Sequence, residues 1–168
     1  MPLNIEIDKL TNSIENSLTG EVFDTEIMHL NLKSLPIIIK SDWLFDWRQE
    51  IKNKTKEVYK LTTASNPTII QGLLSIEDKQ DHIFMHLIES SKFNKGKNKV
   101  YLGVPGNLIA FACKVSFEKE YQGFVAFDSK TALIKHYQET LHATHFRELR
   151  MFIDTNAAIR LITKYFKQ

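Results

Sequence analysis

The stretch Asp81-His-Ile-Phe-Met-His-Leu-Ile-Glu89 carries apolar residues at both parities of a β-strand. A strand with that pattern is expected to be central and covered on both faces. After a loop, Gly103-Val-Pro-Gly106 opens a segment with helical periodicity, where Pro105 fits the first turn because its missing N–H costs nothing there. The apolar positions of this helix are Leu108, Phe111, Ala112 and Val115.

Two further strand patterns precede this stretch, at residues 57–62 and 68–75. Turn-forming residues separate the three patterns, at Asn66-Pro67 and at residues 77–80. Such short connections join antiparallel neighbours, so the three strands are predicted to form an antiparallel meander.

The region upstream of the meander is predicted to contain a strand and a helix. Residues 21–30 have the composition of a strand. Ser41 is a suitable N-cap for a helix that runs to about Lys52, with Trp43, Trp47 and Ile51 along one face.

The region after the long helix has the pattern strand, helix, strand, helix. The strands are predicted at residues 122–127 and 147–153. Residues of N-cap type precede the helices: Asp128 or Ser129 for the first, and Asp154 or Thr155 for the second. Their inward positions are Leu133, Tyr137 and Leu141, and then Ala158, Leu161, Ile162 and Tyr165. The whole order predicts an α/β (α+β) fold of one domain over residues 1–168. Its central sheet is mixed and mostly antiparallel, with βαβ crossovers in the second half and helices on both faces.

Composition limits the function classes. The chain has 168 residues, 43% hydrophobic and 25% charged, which is ordinary for one globular domain. Cys113 is its only cysteine, so no intrachain disulfide forms, and we expect this residue to fill the core. No apolar run approaches a membrane span and the N-terminus lacks a secretory signal, so a cytoplasmic location is expected. A net charge of +2 gives no indication of nucleic-acid binding.

A basic loop leads into the long helix. Residues 91–99 carry four lysines, and the glycine-containing turn that follows begins the helix. Free amides at a helix N-terminus and nearby lysines form an anion site, which suits a phosphate. The alternative is a solvated loop before a tight turn.

The element order, the strand that ends at Glu89, the loop of residues 102–109, the strand Gly123-Phe-Val and the helix of residues 135–143 resemble the GNAT acyl-CoA N-acyltransferases. The resemblance covers about residues 56–143 in its motifs. It implies that backbone amides hold the pyrophosphate of acetyl-CoA, and that two splayed central strands open a V for its pantetheine arm.

The resemblance also implies a set of coenzyme-binding residues. Gly103 stands at the first glycine of the family signature, whereas Val100 and Pro105 replace its usual Gln or Arg and its second glycine. The loss of one amide at Pro105 would either weaken the phosphate cradle or shift it towards Gly106 and Asn107, and Lys97 or Lys99 would substitute for the missing cation. The implied set is Leu87, Ile88, Lys97, Lys99, Gly103, Val104, Gly106, Asn107 and Leu108.

The same resemblance implies catalytic roles. Tyr137 takes the place of the tyrosine that protonates the departing thiolate, although His142 replaces a glycine and Lys130 an asparagine of the family pattern. A core tyrosine on an apolar stripe is the alternative. His86 and Glu89 are the candidate general bases, and the backbone N–H groups of residues 87–89 would polarise the thioester carbonyl.

The function predicted from the resemblance is direct transfer of an acetyl group from acetyl-CoA to a small-molecule or protein amine within a ternary complex. No metal, nucleic acid or membrane is expected as a partner, and a homodimer is left open. Two alternatives remain: an inactive module that binds coenzyme A or a protein, and a nucleic-acid-binding protein that uses the basic loop.

The histidines are not predicted to bind a metal ion, and one aromatic segment is predicted to have mainly a packing role. His82 and His86 are separated by about 13 Å along a strand, and His142 and His145 have no carboxylate or thiol cluster beside them. The aromatic segment Trp43-Leu-Phe-Asp-Trp47 is predicted to pack in the core, with Phe45 and Asp46 as candidate liners of an acceptor cleft.

Overall fold

The computed structural model describes residues 1–9 and 13–166. Its main sheet has seven strands, numbered in chain order: β3 (Thr25–Leu30), β4 (Glu57–Thr63), β5 (Gly72–Asp78), β6 (Ile83–Ser90), β8 (Val125–Asp128), β9 (Thr144–Arg147) and β10 (Arg150–Ile153). Their order across the sheet is β3-β4-β5-β6-β8-β10-β9. Among neighbouring strands only β6 and β8 are parallel, so the sheet is mixed and mostly antiparallel, as the sequence predicts.

Helices cover both faces of this sheet. Helix α1 (Trp47–Lys52) packs on one face, where Trp47 joins a core cluster with Leu73. Helix α2 (Val104–Glu118) packs on the opposite face, where Leu108 joins the main core with Leu74. Helix α4 (Thr155–Tyr165) packs on α2, and α3 (Ile134–Leu141) connects β8 to β9. Leu73 and Leu74 therefore divide the strand between two cores, as alternation along a strand requires.

A second, three-stranded sheet was not predicted. It consists of β1 (Ile14–Asn16), β2 (Val22–Phe23) and β7 (Tyr101–Leu102). The predicted strand 21–30 is therefore divided, because β2 belongs to this small sheet and β3 to the large one.

Several predicted boundaries are wrong. Ser41 lies in a short 3-10 turn, and the cap of α1 is Asp46, whose side chain accepts from the Gln49 amide at 3.1 Å. Neither Asp128 nor Ser129 caps α3: Asp128 pairs with Arg150, and a 3-10 turn begins after Lys130. In contrast, Asp154 caps α4 by accepting from the Ala157 amide, as expected.

The second half of the sheet contains two βαβ crossovers, as predicted. The first runs from β6 through α2 to the parallel neighbour β8. Because β10 runs antiparallel to both β8 and β9, strand β9 is parallel to β8, and the chain through α3 makes the second crossover, with β10 between its two strands. The predicted strand 147–153 is wrong in its extent, because Arg147 ends β9 and Glu148 lies in the turn before β10 in the left-handed region (φ 53°). Strand β9 is exposed along its length and forms one edge of the sheet.

Candidate active site

The central feature of the site is a gap between the two parallel strands. Strands β6 and β8 pair only at Ile83 with Val125 and at Phe84 with Ala126. Past that point β6 contains a bulge, because Ser75 pairs with Leu87 and Ile76 with Met85 while His86 has no partner on β5. A bulge bends the strand and redirects its end. The C-terminal half of β6 thus leaves β8 and opens a cleft in the sheet.

A cavity of about 350 Å³ lies in this cleft. One wall is the diverging end of β6, and the wall opposite comes from the N-terminal segment. The remaining walls come from the segment before α1, the basic loop and the start of α2. The lining residues are 2–6, Leu44, Phe45, 87–90, 94–96, Lys99 and Pro105. Phe45 thus lines the cleft as predicted, whereas Asp46 is the cap of α1.

Glu89 lies at the end of β6 and is 2% exposed. Its carboxylate accepts from the amides of Leu44 (2.7 Å) and Phe45 (3.2 Å) and from Trp47 Nε1 (2.8 Å). Lys95 Nζ completes the set at 3.0 Å. Because a carboxylate has about four lone-pair sites, these donors leave none for the proton of a substrate amine. The geometry makes Glu89 an anchor of the cleft wall, and its role as general base remains a prediction that would require one of these donors to leave.

His86 is the other predicted base, and it is not one of the cavity-lining residues. Its Nε2 lies 2.7 Å from Glu77 Oε1 on β5. Burial lowers the pKa of His86, and the bond to Glu77 offsets this in part, so the ring is neutral near pH 7. The same bond, together with Lys79, lowers the pKa of Glu77. A neutral imidazole can accept a proton, and the role of His86 as a base remains a prediction.

Tyr137 is fully buried on α3, where its ring packs edge-on against Phe127. Its hydroxyl donates to the carbonyl of Ile5 at 2.5 Å and accepts from the Ile5 amide at 3.2 Å. Burial raises the pKa of Tyr137 to about 12, so the phenol keeps its proton at neutral pH. The hydroxyl of Tyr137 is therefore protonated and hydrogen-bonded to Ile5, and the backbone of Ile5 separates it from the cavity.

The start of α2 contacts a carboxylate of the chain itself, and its use as a phosphate site remains a prediction. Gly103 is its N-cap in the left-handed conformation (φ 91°), which glycine adopts without strain. The first helical bond is donated by Asn107 to the Gly103 carbonyl at 3.0 Å, so the preceding amides point out of the helix. Here the anion is Asp8, whose carboxylate accepts from the Gly103 amide at 3.2 Å and pairs with Lys99 at 3.0 Å.

Three predicted coenzyme residues on α2 have packing roles. The side chains of Val104 and Leu108 are buried in the main core against Gly72, where an added Cβ would lie 2.8 Å and 3.0 Å from them. A Cβ on Gly106 would lie 1.9 Å from the hydroxyl of Tyr165 on α4. Gly106 thus allows α4 to approach α2, and of these three residues only Val104 and Gly106, whose amides precede the first helical bond, have a backbone N–H available to a ligand.

Asn107 is the one predicted coenzyme residue with an unexplained side chain. It is fully buried, and both of its amide atoms lack a hydrogen-bond partner among the described residues. Since an unpaired buried polar group costs about 1–3 kcal/mol, we expect Asn107→Leu to raise the free energy of unfolding by about 1 kcal/mol. Tm would rise by roughly 2–4 °C for a chain of this size.

Thermal unfolding of the two proteins checks this prediction. Ala110→Leu, on the same helix and also buried, is the control for a larger side chain, and overpacking should lower its stability. A lower Tm for Asn107→Leu would contradict the prediction, because it would mean that the amide has a partner worth keeping.

The lysines of the basic loop have different environments. Lys99 lines the cavity and Lys95 holds Glu89, whereas Lys97 is exposed and outside the lining. The loop is fixed by the buried Asn94, which donates to Gln71 and accepts from the Tyr101 amide at 2.9 Å. Of the two predicted cations, only Lys99 is therefore held at the start of α2.

Sequence reasoning missed the N-terminal segment, residues 2–9. Leu3 and Ile7 are buried in the main core, and a parallel bridge joins Leu3 to Ser129 after the end of β8. The signal for this strand-like segment was present, because Leu3-Asn-Ile-Glu-Ile-Asp8 alternates apolar and polar residues. The segment lies across the cleft, between the cavity and Tyr137.

Within residues 1–9 and 13–166, no group of three His, Cys, Asp or Glu side chains is placed to hold a metal ion. No described helix has both the length and the apolar character to cross a membrane. Cys113 is buried in the main core, as predicted, and burial raises the pKa of its thiol.

Comparison with known proteins finds similarity in structure only. No protein-family model matches the sequence, and no curated protein matches it significantly. Solved structures are similar over most of the chain, and three of them serve as examples. KacTA in a complex with DNA has a TM-score of 0.57 at 10% identity, over 83% of this chain and 99% of that one. The spermidine N-acetyltransferase of Vibrio cholerae in complex with CoA and spermine has a TM-score of 0.52 at 14% identity, over 81% and 98%.

The third is the N-acetyltransferase PseH of Campylobacter jejuni, with a TM-score of 0.52 at 14% identity, over 77% of this chain and 97% of that one. The likeness covers nearly the full length of each neighbour and includes the seven-stranded mixed sheet. At these identities the comparison concerns the fold. That fold is the one predicted from the sequence.

Proposed function

We propose, for a chain with the GNAT fold, that it transfers the acetyl group of acetyl-CoA to an amine. The observation that carries the proposal is the divergence of β6 from β8, with the N-terminus of α2 beside the opening. An extended amide chain with an anionic end fits this arrangement. The chain's own N-terminal residues support the proposal, since residues 2–6 line the cleft and Asp8 places a carboxylate on the Gly103 amide.

The coenzyme phosphates would be held by the amides at the start of α2 and by Lys99. Helix N-terminal amides and a nearby ammonium both favour negative charge. Gly103 and Lys99 bind a carboxylate in the structure, which supports their use for a phosphate. Asn107 is a further candidate because its buried amide has no partner in the described part of the chain.

The transfer step needs an oxyanion site, a base and an acid. Acetyl-CoA supplies a thioester carbon, to which the amine nitrogen forms a bond as the carbon–sulfur bond breaks. Backbone N–H groups of residues 87–89, on the end of β6 that pairs with β5 and not with β8, would polarise the carbonyl. Tyr137 would donate its proton to the departing thiolate. His86 is the proposed acceptor of the amine proton, because its ring is neutral near pH 7.

The acceptor is proposed to be a small-molecule or protein amine rather than a nucleic acid. Three lysines of the basic loop are in ion pairs: Lys92 with Asp42, Lys95 with Glu89 and Lys99 with Asp8. These pairs reduce the positive charge that a phosphate backbone would require. Proteins of similar fold include examples of both kinds of ligand: a KacTA structure contains DNA, and the spermidine N-acetyltransferase of Vibrio cholerae was solved with CoA and the amine spermine. A cytoplasmic location and a homodimer through the exposed edge of β9 complete the proposal.

Thermal unfolding with acetyl-CoA, and with ATP as a control phosphate ligand, tests the coenzyme. Ligand at 100 times its Kd adds about 2.7 kcal/mol, which would raise Tm by roughly 5–10 °C for a chain of this size. Release of free thiol with a panel of polyamines and amine-bearing peptides then tests transfer. No shift at millimolar acetyl-CoA, either in the native chain or in Asp8→Asn, which removes the charge that occupies the Gly103 amide, would overturn the proposal. Binding without thiol release from any acceptor would favour the alternative, an inactive module that binds coenzyme A.

A further inference from the structure

The N-terminal segment is held in the cleft by a row of contacts to the body of the protein. The Leu3 amide donates to the Asp128 carbonyl at 2.6 Å, and the Ile7 amide donates to His136 Nε2 at 2.8 Å. Between them, the Ile5 peptide binds the Tyr137 hydroxyl through both its N–H and its C=O. Each of these contacts uses the segment's backbone, so the segment lies in the cleft as an extended ligand would.

The contacts coincide with the groups that the proposed reaction needs. Asp8 occupies the Gly103 amide and the Lys99 ammonium, which are the proposed phosphate groups. Ile5 occupies the Tyr137 hydroxyl, which is the proposed acid. A carboxylate and a phosphate cannot share one amide donor, and a phenol that donates to Ile5 cannot donate to a thiolate. The segment and a reacting coenzyme therefore exclude each other at both ends of the cleft.

We propose that residues 2–8 are an autoinhibitory self-ligand that must leave the cleft before coenzyme A can bind productively. This inference rests on the proposed function and adds its regulation. The resting protein has its acid and its anion site occupied by its own chain. Any ligand or partner that draws the segment away would switch the site on. The apparent affinity for coenzyme A is then the intrinsic affinity multiplied by the fraction of molecules in which the segment is out of the cleft.

The segment is held strongly enough to compete, yet it can be displaced. Its two anchors are the side chains of Leu3 and Ile7, which are buried in the main core. Its pairing to the sheet is confined to the bridge between Leu3 and Ser129. Its contact with the start of α2 is made by Asp8, whereas Glu6 is exposed and Lys9 pairs with Glu15 at 2.7 Å. Removal of the Asp8 charge should therefore loosen the end that competes with phosphate.

Calorimetric titration of the full chain with coenzyme A tests the competition. Asp8→Asn removes the ion pair with Lys99 at almost constant shape, so we expect its affinity for coenzyme A to rise about tenfold, or about 1.4 kcal/mol. Asp81→Asn is the matched control. It makes the same change at an exposed carboxylate in the turn before β6, away from the cleft, and should leave affinity unchanged.

Hydrogen exchange on the unmodified chain gives a second measurement that needs no variant. Saturation with coenzyme A should release the amides of Leu3, Ile5 and Ile7 and raise the exchange rate of peptides from residues 2–9 at least tenfold. Unchanged exchange with coenzyme bound, or equal or weaker binding by Asp8→Asn, would overturn the self-ligand and leave the proposed function standing. Failure of both the native protein and Asp8→Asn to bind coenzyme A would overturn the proposed function itself.

Discussion

Replacement of Tyr137 by phenylalanine is expected to lower kcat for acetyl transfer by about 100-fold or more, the usual contribution of a general acid. The variant keeps the buried ring and its edge-on contact with Phe127, and it removes only the hydroxyl that carries the proton. Because burial raises the pKa of Tyr137 to about 12, the native phenol is protonated throughout the neutral range and can act as the acid.

The same variant should change coenzyme affinity in the opposite direction. Loss of the hydroxyl also removes both hydrogen bonds to Ile5, which hold the N-terminal segment in the cleft. We therefore expect coenzyme A to bind more tightly to Tyr137→Phe while turnover falls. A structural defect would weaken both, so the opposite signs separate a catalytic role from damage to the fold.

Steady-state kinetics at saturating acetyl-CoA and acceptor, together with direct titration of coenzyme A, provides both quantities. Tyr121→Phe is the control, because Tyr121 is a tyrosine whose hydroxyl binds Asp78 at the opposite end of β6 from the cleft. It should alter kcat by less than twofold. A Tyr137→Phe variant with kcat within twofold of the native value would contradict the acid role and leave Tyr137 as a core residue.

The parts of the fold that the sequence predicted correctly are those with local causes. Gly103 and Pro105 define the start of α2 by their own backbone chemistry, and the apolar run before Glu89 identifies β6 as a central strand. The missed hairpin has the opposite cause. Residues 147–150 contain no Gly, Asn or Pro, so nothing in them signals the turn that Glu148 makes with a positive φ. Its left-handed conformation is imposed by the pairing of β9 with β10.

The site was predicted in its positions more than in its contacts. The glycine-containing turn at Gly103 was chosen from a local pattern and Tyr137 from the family resemblance, and their roles in binding phosphate and in donating a proton remain predictions. Sequence reasoning missed the segment that occupies them, since Ile5 and Tyr137 are separated by 132 residues. The alternation from Leu3 to Asp8 indicates a strand but says nothing about which strand it joins. Long-range pairing is set by the tertiary structure, so neither periodicity nor composition reveals it.

The second large effect is expected at Glu89. Glu89→Ala removes the acceptor for the buried Trp47 Nε1, for two backbone amides and for Lys95. Removal of one partner from a buried charged network costs about 3–5 kcal/mol. The free energy of unfolding should fall by that amount, and Tm by roughly 6–20 °C for a chain of this length. Glu89→Gln should cost less, because its amide oxygen can retain some of the donors.

Chemical denaturation measures this loss, and an exposed glutamate supplies the control. Glu139 pairs with Lys135 on the surface of α3 at 3.9 Å, so Glu139→Ala should change stability by less than about 0.5 kcal/mol. The comparison also separates the two roles considered for Glu89. If Glu89 is an anchor of the cleft wall, the Glu89→Ala protein loses stability, and its activity falls because residues 44–47 shift. If Glu89→Ala kept native stability and lost activity, Glu89 would be the general base after all, and its four donors would have to rearrange when substrate binds.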